Sequence, residues 1–153
     1  MPRYSPFFIK LVASFFFVGY LPFFPGTFGS IAGLFIYIVL SGNIYILSFT
    51  AALIIILGFI FSGRAAKLFQ HRDSPYIVID EVSGMLVSLL GVPVDNKLIL
   101  LAGLIIFRAL DISKFYPAGL FQRRDTSLGI MGDDITAGIY TNLILRALLI
   151  FLL

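Results

Sequence analysis

The chain has no cysteine, one histidine and only eight acidic residues among 153. Each scarcity removes chemistry. Without cysteine there is no thiolate nucleophile, zinc finger, iron–sulfur centre or disulfide scaffold. With His71 alone, mechanisms that need two histidines are excluded, most zinc hydrolase sites among them; His71 itself reads as a surface or interfacial residue. Charge is scarce too. Only 12% of the residues are Asp, Glu, Lys or Arg, against 59% hydrophobic, whereas a soluble domain is about 25% charged. Mean hydropathy is +1.04. A soluble protein of this length needs a largely polar surface, which this composition does not supply, so the sequence reads as an integral membrane protein embedded in a bilayer. The formal charge of +3 is too small to argue for nucleic acid and fits an orientation signal at a membrane surface.

From Leu11 to Gly63 no residue carries a formal charge. Arg3 and Lys10 ahead of an apolar run imitate a signal peptide. No small-residue cleavage site follows, and Pro22 and Pro25 interrupt the run, so this segment is expected to be retained. Five apolar segments read as membrane crossings: 28–41, 44–63, 82–94, 97–112 and 135–153. Only 44–63 reaches the ~20 residues that span a bilayer unaided, so the others are expected to tilt or to extend into their flanks. Gly29 and Gly33 permit close helix packing. Segment 6–24, rich in aromatics and carrying Lys10, reads as an interfacial or re-entrant helix. The expected fold is all-α: a polytopic membrane helical bundle of about five crossings. There is no internal repeat, low-complexity tract or linker, so residues 1–153 read as one domain.

The acids are confined. All eight lie between Asp73 and Asp134, where scattered solvent-facing carboxylates would be spread along the chain. The bland alternative is that apolar spans exclude acids and the loops hold what is left. Parity of the five crossings puts 25–27, 64–81 and 108–134 on one side of the membrane. That side carries Arg64, Lys67, Arg72, Arg108, Lys114, Arg123 and Arg124, while 93–97 offers only Lys97. By the positive-inside rule it faces the cytoplasm, and every acid except Asp95 converges there.

Four constellations carry chemistry. Pro25-Gly26-Thr27-Phe28-Gly29-Ser30 opens an apolar helix; glycine lets a ligand approach the backbone, Thr27 and Ser30 offer hydroxyls, and a helix start attracts anions. A helix start capped by Thr27 is the plainer reading. Asp80-Glu81 stands at the head of the next apolar run, where unpaired carboxylates are costly. Mg²⁺ would resolve that cost, since it takes oxygen ligands and usually one or two carboxylates plus phosphate; complementing the helix dipole is the alternative. Arg108, Asp111 and Lys114 are spaced three apart along one side of a helix. They form either a salt-bridge ladder or a metal ligand flanked by two phosphate-binding cations. Asp133-Asp134 follows two glycines ahead of the last crossing. One of them alone would be an ordinary N-cap, but the pair on the acidic face suits metal ligation.

Taken in order, these motifs resemble the phosphatidylglycerophosphatase A family. The resemblance rests on Pro-Gly-Thr-x-Gly-Ser (25–30), Ile-Val-Ile-Asp-Glu-x-x-Gly-Met (77–85), Phe-Arg-x-Leu-Asp-x-x-Lys (107–114) and Leu-Gly-Ile-Met-x-Asp-Asp-x-x-Ala-Gly (128–138), and it covers roughly 20–140. Phe115 stands where that family commonly has proline, and Thr126-Ser127 where it often has two glycines; neither change removes a carboxylate. The resemblance implies a helical, multi-pass enzyme of the bacterial cytoplasmic membrane whose site faces the cytoplasm. Its implied reaction is Mg²⁺-dependent hydrolysis of the phospholipid phosphatidylglycerophosphate to phosphatidylglycerol and phosphate. Asp80, Glu81, Asp111, Asp133 and Asp134 would then be the catalytic and metal-binding residues. Gly26, Thr27, Ser30, Arg108 and Lys114 would hold the phosphate. A CDP-alcohol-type lipid phosphotransferase fits less well, because its paired Asp-Gly pattern is absent. A small cation-transport protein would carry its acids nearer the bilayer midplane.

Overall fold

The computed structural model describes residues 4–71, 74–113 and 126–152. Lys114 and the flanking charges Arg72, Asp73, Arg123, Arg124 and Asp125 lie outside the described residues. Within them the chain is all-helical. A short helix, α1 (Pro6–Ala13), and a 3₁₀ turn (Val18–Tyr20) precede five longer helices: α2 (Pro25–Leu40), α3 (Ile44–Phe69), α4 (Ile79–Leu89), α5 (Lys97–Ser113) and α6 (Ser127–Leu152). The five expected apolar segments each coincide with a helix; α2 starts three residues earlier and α3 runs six residues further than expected, and two others differ with consequences for the site.

The start of α6 lies at Ser127, not near 135. Asp133 and Asp134 therefore stand inside the helix, which makes the N-cap alternative wrong for both. At 26 residues and 1.5 Å per residue, α6 is about 39 Å long, more than the ~30 Å hydrocarbon core of a bilayer. Among the described residues, it and α3 are the two helices long and apolar enough to cross a membrane. Conversely, α4 has only 11 residues and stops at Leu89, about 16 Å from its start. A turn with Gly91 at φ +75° and then Pro93 ends it. The freed carbonyls are satisfied from other helices. Asn142 Nδ2 on α6 donates to the carbonyls of Val87, Ser88 and Leu90 at 3.2, 2.9 and 3.0 Å. Arg146 donates to Leu90 as well, and the Tyr37 hydroxyl of α2 donates to the Val92 carbonyl.

The short helix is the centre of the bundle. It packs on α2, α3, α5 and α6, and Val82, Met85, Leu86 and Leu89 are fully buried. Around it, large apolar side chains point outward: Tyr45, Phe49 and Ile56 of α3 are 84%, 70% and 55% exposed. Water would not favour that surface. Where apolar faces are left outward in this way, close backbone approach supplies attraction between helices. Gly29 and Gly33 provide it on the α2–α4 seam, as their spacing predicts. A Cβ at Gly33 would lie 2.8 Å from the Val82 carbonyl oxygen. The α4–α6 seam is tighter still, since a Cβ at Gly138 would lie 2.4 Å from the Gly84 carbonyl oxygen. These seams set where the acids meet.

Candidate active site

Four helices deliver side chains to one cavity of about 350 Å³. Asp80 and Glu81 come from the first turn of α4, where the helix dipole favours negative charge. Val78 offers no side-chain cap there. Asp134 arrives from α6 because Gly84 lets the two backbones meet: a Cβ on Gly84 would lie 2.6 Å from the Asp134 carbonyl oxygen. One carboxylate oxygen from each of Asp80, Glu81 and Asp134 falls within 4.8 Å of the others. Asp133 lines the same wall, and Asp111 and Arg108 enter from α5. The guanidinium of Arg108 donates from Nη1 to Asp111 Oδ2 at 2.6 Å, so the ladder expected from the spacing forms between these two residues and faces the cavity.

This arrangement is electrostatically incomplete. Among the described residues, five carboxylates and one guanidinium line the cavity. Two ionised carboxylates 4.8 Å apart repel by about 3–4 kcal/mol at an effective dielectric constant near 20. Asp80 Oδ1, Glu81 Oε2 and Asp134 Oδ2 are buried with no hydrogen-bond partner, and each such oxygen costs about 1–3 kcal/mol or more when charged. Carboxylate oxygens converging at this spacing, with partnerless oxygens among these three groups, are what a hard divalent cation takes as ligands. An anionic phosphate entering without a cation would meet net repulsion. The donor set, oxygen only and without His or Cys, suits Mg²⁺ rather than zinc.

The 25–30 motif reaches this site differently from expectation. Helix α2 starts at Pro25 with Phe24 as an uncapped N-cap, and Thr27 already lies in the first turn; the Thr27-capped start does not occur. Proline is suited to that first position because its missing N–H has no helical partner there. Gly26 lines the cavity, and its bare Cα makes room for protein groups. A Cβ on it would lie 2.4 Å from Glu81 Oε1 and 3.2 Å from both terminal nitrogens of Arg108. Ser30 is a correction: it is fully buried, and its hydroxyl donates to the Gly26 carbonyl at 3.0 Å instead of facing the cavity. Thr27 is half-buried and is not among the lining residues. Lys114 lies outside the described residues.

Sequence reasoning missed the rim. Phe23, Phe24, Ser74 and Pro75 also line the cavity, the two phenylalanines at its exposed edge, and Gly84 and Gly138 set the α4–α6 distance. Both glycines are in the quoted motifs, yet they lie on different helices, so no local spacing pairs them.

A family model described as Phosphatidylglycerophosphatase A matches residues 11–149. A phosphatidylglycerophosphatase A of Escherichia coli is 36% identical over 123 residues, covering 79% of this chain and 72% of its own. A Bacteroides thetaiotaomicron protein named "Putative phosphatidylinositol-3-phosphatase" is 32% identical over 80% of this chain and 82% of its own. A phosphatidylglycerophosphatase A of Haemophilus influenzae is 31% identical over 81% and 78%. No solved structure matches the chain significantly.

Proposed function

The chain belongs to the phosphatidylglycerophosphatase A family, and from that premise we propose that it hydrolyses phosphatidylglycerophosphate to phosphatidylglycerol and phosphate at the cytoplasmic surface of a bacterial inner membrane. The observation that carries the proposal is the triad of carboxylates of Asp80, Glu81 and Asp134, gathered within 4.8 Å and each with one buried oxygen lacking a hydrogen-bond partner, beside a paired Arg108–Asp111. Helices α2 to α6 serve as the crossings, with α4 buried inside the others and completed by the turn after Leu89. Residues 6–24 lie along the interface.

Asp80, Glu81 and Asp134 hold Mg²⁺ in this reading, with Asp111 and Asp133 as further oxygen ligands on the same wall. The ion, when bound, neutralises phosphate charge and lowers the pKa of a water ligand. The protein's own groups do the rest. Arg108, oriented by Asp111, holds phosphoryl oxygens and offsets the charge that builds on them. Lys114 is a second phosphate cation by its place in the family motif. A carboxylate of the cluster would take the proton from a water attacking phosphorus in line with the leaving oxygen and return it to that oxygen as its bond to phosphorus breaks, giving the alcohol and phosphate.

Phosphate release from the detergent-purified protein tests this. The substrates are phosphatidylglycerophosphate, phosphatidic acid, phosphatidylinositol 3-phosphate and glycerol phosphate, each with and without Mg²⁺. Mg²⁺-dependent release from the first alone is expected. A folded protein that releases phosphate from none of the four would refute the phosphatase reading.

A further inference from the structure

The cavity joins two chemistries, and phosphate hydrolysis uses only one. Its floor is carboxylate and guanidinium. Its rim holds Phe23 and Phe24, two rings that neither ligate a cation nor hold phosphate. Phe23 is 89% exposed and Phe24 71%, a patch that asks for an apolar partner.

The segment leading to the rim is anchored. Phe15, Phe16, Phe17 and Phe23 have φ of 47°, 55°, 66° and 76°, a left-handed region that residues with a side chain rarely occupy. Anchors hold this segment against the loop leading to the acids. The Val78 N–H donates to the Ala13 carbonyl at 3.0 Å, and Tyr20 stacks on Tyr76 with ring centroids 4.6 Å apart. Gly19 sits so close to Tyr76 that a Cβ would lie 2.3 Å from its carbonyl oxygen. Two residues after Val78 comes Asp80, and directly after Phe24 comes Pro25, which starts α2. Rim and acids are therefore parts of one braced unit.

We infer that Phe23 and Phe24 seat the acyl chains of the phospholipid substrate while its phosphate lies on the acidic floor, and so set the preference for a lipid over a water-soluble phosphomonoester. The inference rests on the phosphatase reading above. A phospholipid carries an anionic end and an apolar end on one molecule, matching floor and rim together. A protein partner covering the rim alone would leave the floor unused.

Two measurements test the rim. The chain contains no tryptophan, so Phe24→Trp installs a lone indole there. In nanodiscs of unbrominated lipid, a trace of a non-hydrolysable phosphonate analogue of phosphatidylglycerophosphate with brominated chains is expected to quench it. The same probe should leave Tyr45→Trp, on the outward face of α3, unquenched. In the second measurement, Phe23→Ser with Phe24→Ser lowers the ratio of kcat/KM for the long-chain lipid to that for a short-chain monomeric analogue by about tenfold or more, the loss expected when much of one ring's apolar contact is removed. The double leucine variant recovers most of that ratio. Equal quenching at both positions, or an unchanged ratio in the serine pair with active wild type, overturns the rim alone. A folded wild type inactive on every phosphomonoester, with no quenching at Phe24→Trp, overturns the phosphatase reading and the rim with it. If the serine pair fails to fold, the quenching comparison still decides.

Discussion

Replacing Gly26 with alanine separates the site from the fold, because the two respond with opposite sign. The new methyl carbon would lie 2.4 Å from Glu81 Oε1 and 3.2 Å from the Arg108 nitrogens. A carbon–oxygen contact settles at about 3.3 Å, so the Glu81 carboxylate must retreat by roughly 1 Å, the difference from that contact distance. Its carboxylate is the far end of a flexible side chain, and rotation relieves the clash at small cost to the fold. Alanine also favours helix over glycine by up to about 1 kcal/mol, less in a first turn. Thermal stability should therefore hold or rise slightly. Activity should not, since a 1 Å displacement of a reacting or ligating group costs on the order of a hundredfold. The assay is Mg²⁺-dependent phosphate release beside a melting curve in the same detergent. Gly42→Ala is the control, because nothing lies within 4 Å of the Cβ it would add, and it should behave like wild type. Near-normal turnover in Gly26→Ala would refute the claim that Glu81 must stand where it does. Lost activity with a large fall in melting temperature would show instead that α2 and α4 had separated.

Asp80→Asn and Asp134→Asn should each lower turnover at least about a hundredfold while the protein still inserts; normal rates in both would remove these residues from the site. The same two variants should melt above wild type in EDTA, because each deletes one member of pairs that repel by about 3–4 kcal/mol, and below it in excess Mg²⁺, where wild type alone gains full binding energy. An order that does not reverse between the two conditions would argue against a cation on the carboxylates. Asn142→Leu strands carbonyls at the end of α4 and should cost about 1–3 kcal/mol of stability with Mg²⁺ dependence retained, read by melting and by metal titration. The absence of native cysteine makes topology testable: in intact spheroplasts an impermeant thiol reagent should modify Lys97→Cys and spare Lys67→Cys, and the reverse labelling would invert the proposed orientation.

Much of the fold was legible because long apolar helices announce themselves locally. An unbroken apolar run led to α3 from composition alone, and interruptions by charge, glycine and proline marked its neighbours. Boundaries were less legible where helices carry buried acids. Asp133 and Asp134 looked like the entrance to a helix because carboxylates are costly inside one, and the prediction placed that helix eight residues late. They are tolerated within α6 because other helices enclose them in a polar cluster, which no property of residues 127–140 reveals. The limits of α4 failed for a related reason: its apolar run continues past Leu89, but Asn142 and Arg146, far along the chain, accept the burden of its open carbonyls.

The sequence by itself determined the apolar, helical character of the chain, the chemical types at the site and their order along the chain. The lack of any cysteine donor follows from residue identity, and no fold could alter it. The tertiary structure decided which donors meet. Gly84 and Gly138 close the α4–α6 seam and bring Asp134 within reach of Asp80 and Glu81. Gly26 leaves the space that Glu81 and Arg108 occupy, and the hydroxyl of Ser30 turns into its own helix. Distances of this kind depend on the backbone separation of helices distant in sequence, fixed by which glycines face each other, so spacing along one helix carries no record of them.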